Sequence, residues 1–458
     1  MRKLITLIVL LFSIASNAQQ ADTTLTDEKK IYGLSLFWQE ANYNYAYFDN
    51  VPNLNWDSAY RAFIPQVLAT TNNFQYYRVL QRFCALLQDG HTNVFLPDYL
   101  AQKRVRRSFG DIKLELKNFN GRPIVVNNAT LTKEIIPVGS EITAVNQIPV
   151  QQYMQQYVRP YISQSAAYIT DDWCADYLLE SFVGDSLLVE FIKPDKTKTS
   201  KWLKAEVKQN VTWNKPYSTT LFQVHTLENG ILKLDINSFN DTKIVDTFIT
   251  ALPLIAQAKA VIIDLRENGG GNSGNSAAIL SYFTDSAFIK GSAWSTREHR
   301  AAFKAWGAFA KQNQRDTSEW ANKNRNYYDG KVWFDGGRTM LWNKVPLDKR
   351  FTKIPLVVLL GHKTASAAED FLIMLDGLPG RATTIGEPSF ASTGQPLSFF
   401  LPGGGSARIC TKRDTYPDGR IFVGKGIQPD IKIAQTIEDY MKNKDVVLEK
   451  AIEVLKKN

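Results

Sequence analysis

Short apolar runs alternate with helix-spaced segments through the C-terminal half of the chain. Gly230 to Ile236 and Ala260 to Arg266 read as strands, being brief, rich in Ile, Val and Leu, and bounded by glycine or charge. Between them, 242–258 carries apolar residues at helical spacing. A third apolar run, Pro355 to Leu360, stops at Gly361 and gives way to small residues and helical spacing. Strands alternating with helices predict βαβ units and a largely parallel sheet. Upstream, 27–87 has apolar and aromatic residues at helical spacing. The stretch 112–207 switches to short alternating strands with Gly and Asn turns, interrupted by 151–182 before Leu187 to Ile192 resumes as a strand. Residues 287–350 break the α/β rhythm with Trp294, Trp306, Trp320, Trp333 and Trp342 among charges and glycines, and are expected to form an inserted lid or rim.

The first residues carry a different pattern. Arg2 and Lys3 precede an apolar run from Leu4 to Ile14, and Ser16-Asn17-Ala18 places small residues where a signal peptidase reads. The expectation is an exported chain, periplasmic or extracellular after cleavage near Ala18. No cysteine follows that point to take a lipid, and no later apolar run reaches membrane length. Loss of Arg2 and Lys3 lowers the formal charge from +9 to +7, and much of that excess is diffuse. The run Lys103-Arg104-Val105-Arg106-Arg107 stands without a nucleic-acid-binding motif and reads as a solvated linker. Cys84, Cys174 and Cys410 allow at most one disulfide and make no metal site, so neither a disulfide scaffold nor a metal enzyme is indicated. With 458 residues, 44% of them hydrophobic, there is material for two or three domains with their own cores.

Candidate chemistry centres on Ser366. The strand–turn–helix pattern of 355–372 puts its hydroxyl at a helix N-terminus, where free N–H groups and the helix dipole favour developing negative charge. Ser366-x-x-Glu369 equally fits a capping box. Gly269, Gly271 and Gly274 satisfy GxGxxG, but a dinucleotide site needs an acid at the end of a second strand about twenty residues on, and Ser292-Ala293-Trp294 ends no clear strand. The same loop can instead present bare backbone N–H groups as an oxyanion hole, or simply turn tightly. Of the histidines, His225 and His299 lack any motif, and His362 lies at a strand end. His91 follows a glycine in Asp89-Gly90-His91-Thr92, where a turn would project its ring.

Taken together, Asp89-Gly90-His91-Thr92, Gly139 to Asn146, Asp264 to Gly271, Thr364 to Glu369 and Gly424 to Asp430 resemble, in this order, the C-terminal-processing (tail-specific) serine peptidases and the tricorn protease core. The resemblance spans nearly all of the chain after residue 18. It implies an α/β fold: a ClpP/crotonase-like peptidase core with a PDZ-like β domain and an N-terminal helical segment. The expected boundaries are 1–18 signal peptide, 19–105 helical, 106–210 PDZ-like, 211–440 core with the 287–350 insert, and 441–458 C-terminal helix. It further implies Ser366 as nucleophile, Gly270 and Ala367 as oxyanion donors, and Gly139 and Ile142 as substrate-binding positions.

Relatives using a Ser–Lys dyad carry a lysine where this chain has Ser392, and a serine cannot serve as that base. The histidine-using branch is therefore indicated, with His91 as base and Asp418 or Asp414 as the third member, although either can be a turn residue. The implied function is an exported serine peptidase acting on peptides or proteins, with no cofactor or metal, no nucleic-acid partner and no membrane insertion. The alternatives are a non-catalytic binding protein on the same fold, taking a peptide or holding an apolar ligand against the Trp-rich insert, and an esterase.

Overall fold

A computed structural model describes residues 24–132, 136–215 and 220–457; the expected signal peptide and its cleavage point lie outside them. The centre is a six-stranded sheet in the order Phe222–Thr226, Ile231–Ile236, Ala260–Asp264, Leu356–Leu360, Thr383–Gly386, Ile431–Lys432. The first pair is antiparallel and the rest are parallel.

Period-two alternation decides which side chain faces which layer. Val261, Ile263, Val358 and Leu360 pack toward Phe248 and Phe371 of helices Lys243–Thr250 and Ala367–Asp376. Ile262, Val357 and Leu359 pack against Val447, Ala451 and Leu455 of the C-terminal helix Val446–Lys457. Both faces are covered, so these strands read as continuous apolar runs rather than alternating ones. Each such side chain buried adds roughly 1.5–3 kcal/mol. The helical stretch expected over 242–258 is two helices, Lys243–Thr250 and Leu252–Ile255, with Pro253 in the first turn of the second.

Three N-terminal helices, Asp27–Asn44, Trp56–Leu68 and Asn73–Ala85, share the larger core with the sheet. Phe37 meets Trp56, Phe83 and Phe399, and Trp56 stacks on Phe83 with centroids 4.2 Å apart. A small sheet extends this contact, with Asn93–Phe95 pairing antiparallel to Ser406–Cys410 so that Asn93 faces Arg408.

A second body, with a core of its own, holds the seven-stranded sheet that includes Ile112–Phe119, Arg122–Thr130, Glu141–Val145 and Ser186–Ile192. Its helix Ala167–Asp176 comes from the 151–182 interruption. The basic run is not free: Arg104 pairs with Glu180, Arg106 with Asp176 at 2.8 Å and Arg107 with Asp176 at 2.6 Å.

The 287–350 insert differs from the expected lid. It is a long antiparallel hairpin, Phe288–Arg297 with Trp333–Trp342, carrying helices Ala301–Gln312 and Glu319–Tyr328 at its tip. Strand Phe288–Arg297 also pairs with Lys412–Thr415. Trp306 and Trp320 lie 5.2 Å apart and face solvent at 45% and 53% exposure. None of its residues lines the central cleft described below, so its tryptophans build no pocket there. Among the described residues, no helix is long and apolar enough to cross a membrane.

Candidate active site

The parallel register sets Ile263 beside Val358 and Asp264 beside Leu359, so both strands deliver their carboxyl ends to one edge. There, two turns meet. Thr364 fixes the first, its hydroxyl donating to Leu265 O at 2.8 Å and accepting the Gly361 N–H at 3.0 Å. That use takes Thr364 away from the helix cap. Ala365 N–H donates to Asn268 O at 3.0 Å, joining this turn to the glycine loop. Ser366 follows at φ 54°, ψ −119°, and the helix Ala367–Asp376 begins at the next residue. For a residue with a Cβ this backbone costs on the order of 1–3 kcal/mol, a strain typical of functional turns.

Glu369 completes the box that the sequence suggested, its Oε2 accepting the Ser366 N–H at 3.1 Å. Its other oxygen accepts from Ser389 Oγ at 2.5 Å and Ala391 N at 2.9 Å. Burial is complete and outweighs these three donors, pushing the carboxyl up to about 8. Glu369 therefore ties the Ser366 turn to the segment that leads into Ser392.

The glycine loop is pinned from two sides. Asn268 Nδ2 donates to Ile236 O at 2.9 Å, and Phe239 N–H donates to Gly270 O at 2.8 Å. A Cβ on Gly271 would stand 2.2 Å from Asn240 N, and one on Gly270 2.7 Å from Ser366 Cβ. Both positions have positive φ, 98° and 136° in chain order, so only glycine fits. One expectation is corrected here. The Gly270 N–H, expected to face an oxyanion, donates to Asn268 Oδ1 at 2.9 Å. The N–H groups of Gly269, Gly271 and Ala367 have no acceptor among the described residues, and Gly269 and Gly271 line the cleft with Ser366.

His91 lines that same cleft of about 1990 Å³. Its Nδ1 lies 2.7 Å from Ser392 Oγ, which in turn lies 3.4 Å from Asp89 Oδ1. Asp89 is buried and also accepts from Thr92 Oγ1 at 2.6 Å and Ser165 Oγ at 3.2 Å. Burial holds the His91 imidazole below its ordinary pKa; Asp89 opposes this, while Arg408 and Lys412 add to it. A neutral imidazole is the form that can accept a proton.

Neither Asp418 nor Asp414 bonds to His91. Asp418 is exposed and ion-paired with Arg420 at 2.7 Å. Asp414 is buried beside Lys412 Nζ at 3.0 Å, with no well-directed hydrogen bond to either oxygen, and its carboxyl is pushed up to about 6 by burial. Ser392 occupies the place expected of them. It was visible in the sequence only as the residue standing where a lysine was absent, since nothing local marks a serine as the partner of a histidine 301 residues away.

The remaining histidines are otherwise engaged. His362 Nδ1 meets Asp172 Oδ2 at 2.6 Å, His225 meets Asp235 at 2.9 Å, and His299 meets Tyr43 O at 2.8 Å. The expected substrate positions are also corrected. Ile142 is wholly buried in the second body, and its strand runs between Arg122–Thr130 and Ser186–Ile192, leaving no edge for a peptide. Gly139 is a turn glycine at φ 89° against Met441, outside the cleft lining.

Residues 230–433 match Peptidase family S41. No curated protein matches the chain in sequence. Among solved structures, mature CPAF aligns with a TM-score of 0.69 at 15% identity, over 94% of this chain and 98% of that one. Mature CPAF complexed with lactacystin gives 0.67 at 14% identity, over 94% and 99%. A putative peptidase from Parabacteroides merdae ATCC 43184 gives 0.53 at 17%, over 94% and 97%. At these identities the likeness is one of fold.

Proposed function

We propose that this chain, whose residues 230–433 match Peptidase family S41, is a serine-type hydrolase that cleaves peptide bonds through an acyl-enzyme formed on Ser366 with His91 as base. One observation carries the reading. Ser366 sits on a strained turn at a helix N-terminus, in one cleft with a histidine whose Nδ1 is already held.

With Nδ1–H donating to Ser392, His91 presents an unprotonated Nε2 for the Ser366 hydroxyl. Nε2 takes that proton as Oγ attacks the substrate carbonyl. The Ala367 N–H and the unengaged N–H groups of Gly269 and Gly271 stabilise the oxyanion. Collapse breaks the C–N bond, and His91 returns the proton to the leaving amine. A water then gives its proton to His91 and attacks the acyl-enzyme, releasing the acid and restoring Ser366. Ser392 orients the ring and receives the imidazolium N–H, with the Asp89 carboxylate one hydroxyl further on. A carboxylate in direct contact would favour that cation more strongly; here its effect arrives through Ser392.

The second body reads as a PDZ-like peptide-binding domain. What supports this is its helix Ala167–Asp176, whose Ile169, Asp172 and Trp173 line the same cleft as Ser366 and so give a peptide a continuous path to the nucleophile. The amino-terminal pattern of Arg2, Lys3 and the Leu4 to Ile14 run supports export to the periplasm or beyond.

Incubating the chain lacking residues 1–18 with an unfolded protein and with a panel of small esters tests the reading. Cleavage of the protein that disappears in Ser366→Ala is expected. Hydrolysis of esters alone would make it an esterase, and turnover of neither would leave a binding protein.

A further inference from the structure

The cleft holds a cation that the mechanism above does not use. Arg408 lies on strand Ser406–Cys410 opposite Asn93, which brings its guanidinium beside the turn carrying His91. Its Nε donates to Asn93 Oδ1 at 2.8 Å and its Nη2 reaches Gly90 O at 3.4 Å. Phe95 lies under the guanidinium at 5.5 Å. Nη1 has no acceptor, and no carboxylate lies within 4.0 Å, among the described residues. The other arginines of the cleft are spoken for: Arg104, Arg106, Arg107 and Arg266 each meet a carboxylate, and Arg78 stacks on Tyr161 at 3.3 Å. Asp89, whose charge acts on Arg408, gives its oxygens to Thr92, Ser165 and Ser392. Partial burial strips water from the guanidinium and lowers its pKa from the ordinary value. An arginine left partly dehydrated, without a counter-ion and facing a substrate cleft, favours an incoming anion.

Its position says which half of the substrate brings that anion. The group that protonates the leaving amine stands on the leaving-group side, and Arg408 bonds to the residue immediately before His91. We propose that Arg408 forms a carboxylate subsite on the leaving-group side of the cleft, taking an acidic side chain of the departing fragment through its free guanidinium N–H groups. This rests on the peptidase reading and deepens it. The enzyme would then prefer bonds followed closely by an acidic residue.

Three peptides of common sequence test it: one with glutamate after the scissile bond and an amidated end, one with glutamine there and a free carboxylate end, and one with glutamine and an amidated end. The wild-type kcat/KM is expected to favour the glutamate peptide over the neutral one by about 10- to 100-fold, the scale of one hydrogen bond to a charged group; a gain confined to the free carboxylate end would overturn the proposal. In Arg408→Gln that ratio falls to about one, and Arg408→Lys keeps part of it. A residue that only braced Gly90 would slow all three peptides together and leave the ratio intact, overturning the proposal, as would a wild-type ratio near one. In either of those cases cleavage of the neutral peptide shows that the peptidase itself stands. Should no peptide be cleaved while Ser366 also fails to react with a fluorophosphonate, it is the underlying peptidase reading that has failed, and the subsite with it.

Discussion

Ser392 Oγ stands 2.7 Å from His91 Nδ1, the place where a serine peptidase commonly sets a carboxylate. Replacing the hydroxyl should free the ring to rotate and leave the imidazolium N–H without its first acceptor. Ser392→Ala is expected to lower kcat by about 10- to 100-fold with little change in KM, a smaller loss than the removal of a triad carboxylate. Because the hydroxyl favours the cation over the neutral ring, its loss should also move the acid limb of the pH–rate profile to lower pH. Steady-state kinetics across pH check both; an unaltered kcat would remove Ser392 from the mechanism.

The pH profile of the wild type follows from the His91 environment. Burial, Arg408 and Lys412 together hold its pKa below 6.5 against the pull of Asp89. The proposed base is active when neutral, so activity should exceed half of its plateau at pH 6.5 and be lost as pH falls further. A measured kcat/KM profile with its acid midpoint above 6.5 would contradict this.

Glu369 links protonation to stability. Its folded value of about 8 lies above the ordinary 4.5. Between those values the folded state retains a proton that the unfolded state has lost, so this contribution is full below pH about 4.5 and is lost as pH rises through about 8. Glu369→Gln should flatten that decline, and Glu369→Ala, which strands the Ser366, Ser389 and Ala391 donors, should cost on the order of 3 kcal/mol. Thermal melts of wild type and both variants from pH 5 to 9 measure it.

Much of this site was legible because its signals are local. The strand-to-turn change at Gly361, the apolar run Ala260 to Asp264, and the glycines after it each specify their backbone with near neighbours. His91 was reached through its motif. What escaped depends on contacts distant in sequence: Ser392 beside His91, and Arg408 opposite Asn93. The Gly270 N–H was misjudged because the Asn268 side chain, two residues back, captures it. Ile142 was given as a substrate position by the resemblance alone, and no local pattern shows that its strand is paired on both sides. The tryptophans of 287–350 suggested a pocket wall, yet Trp306 and Trp320 meet each other at the tip of the hairpin, Trp294 meets Phe334 and Trp342 meets Phe288, and none lines the cleft.

The glycine loop is a further test of the geometry. Alanine at 271 would place a Cβ 2.2 Å from Asn240 N at a φ of 136°, so the loop must shift. Gly271→Ala is expected to reduce kcat at least 100-fold and to destabilise the fold by roughly 2–4 kcal/mol. Denaturant melts with parallel kinetics separate the two effects.

The central claim is that Ser366 is a nucleophile activated by His91. Treating the purified chain with a fluorophosphonate and mapping the adduct by mass spectrometry addresses it directly. The account predicts one phosphonylated residue, Ser366, with no adduct in Ser366→Ala and labelling at least 100-fold slower in His91→Ala. An adduct on another residue, or equal labelling of His91→Ala and wild type, would contradict it.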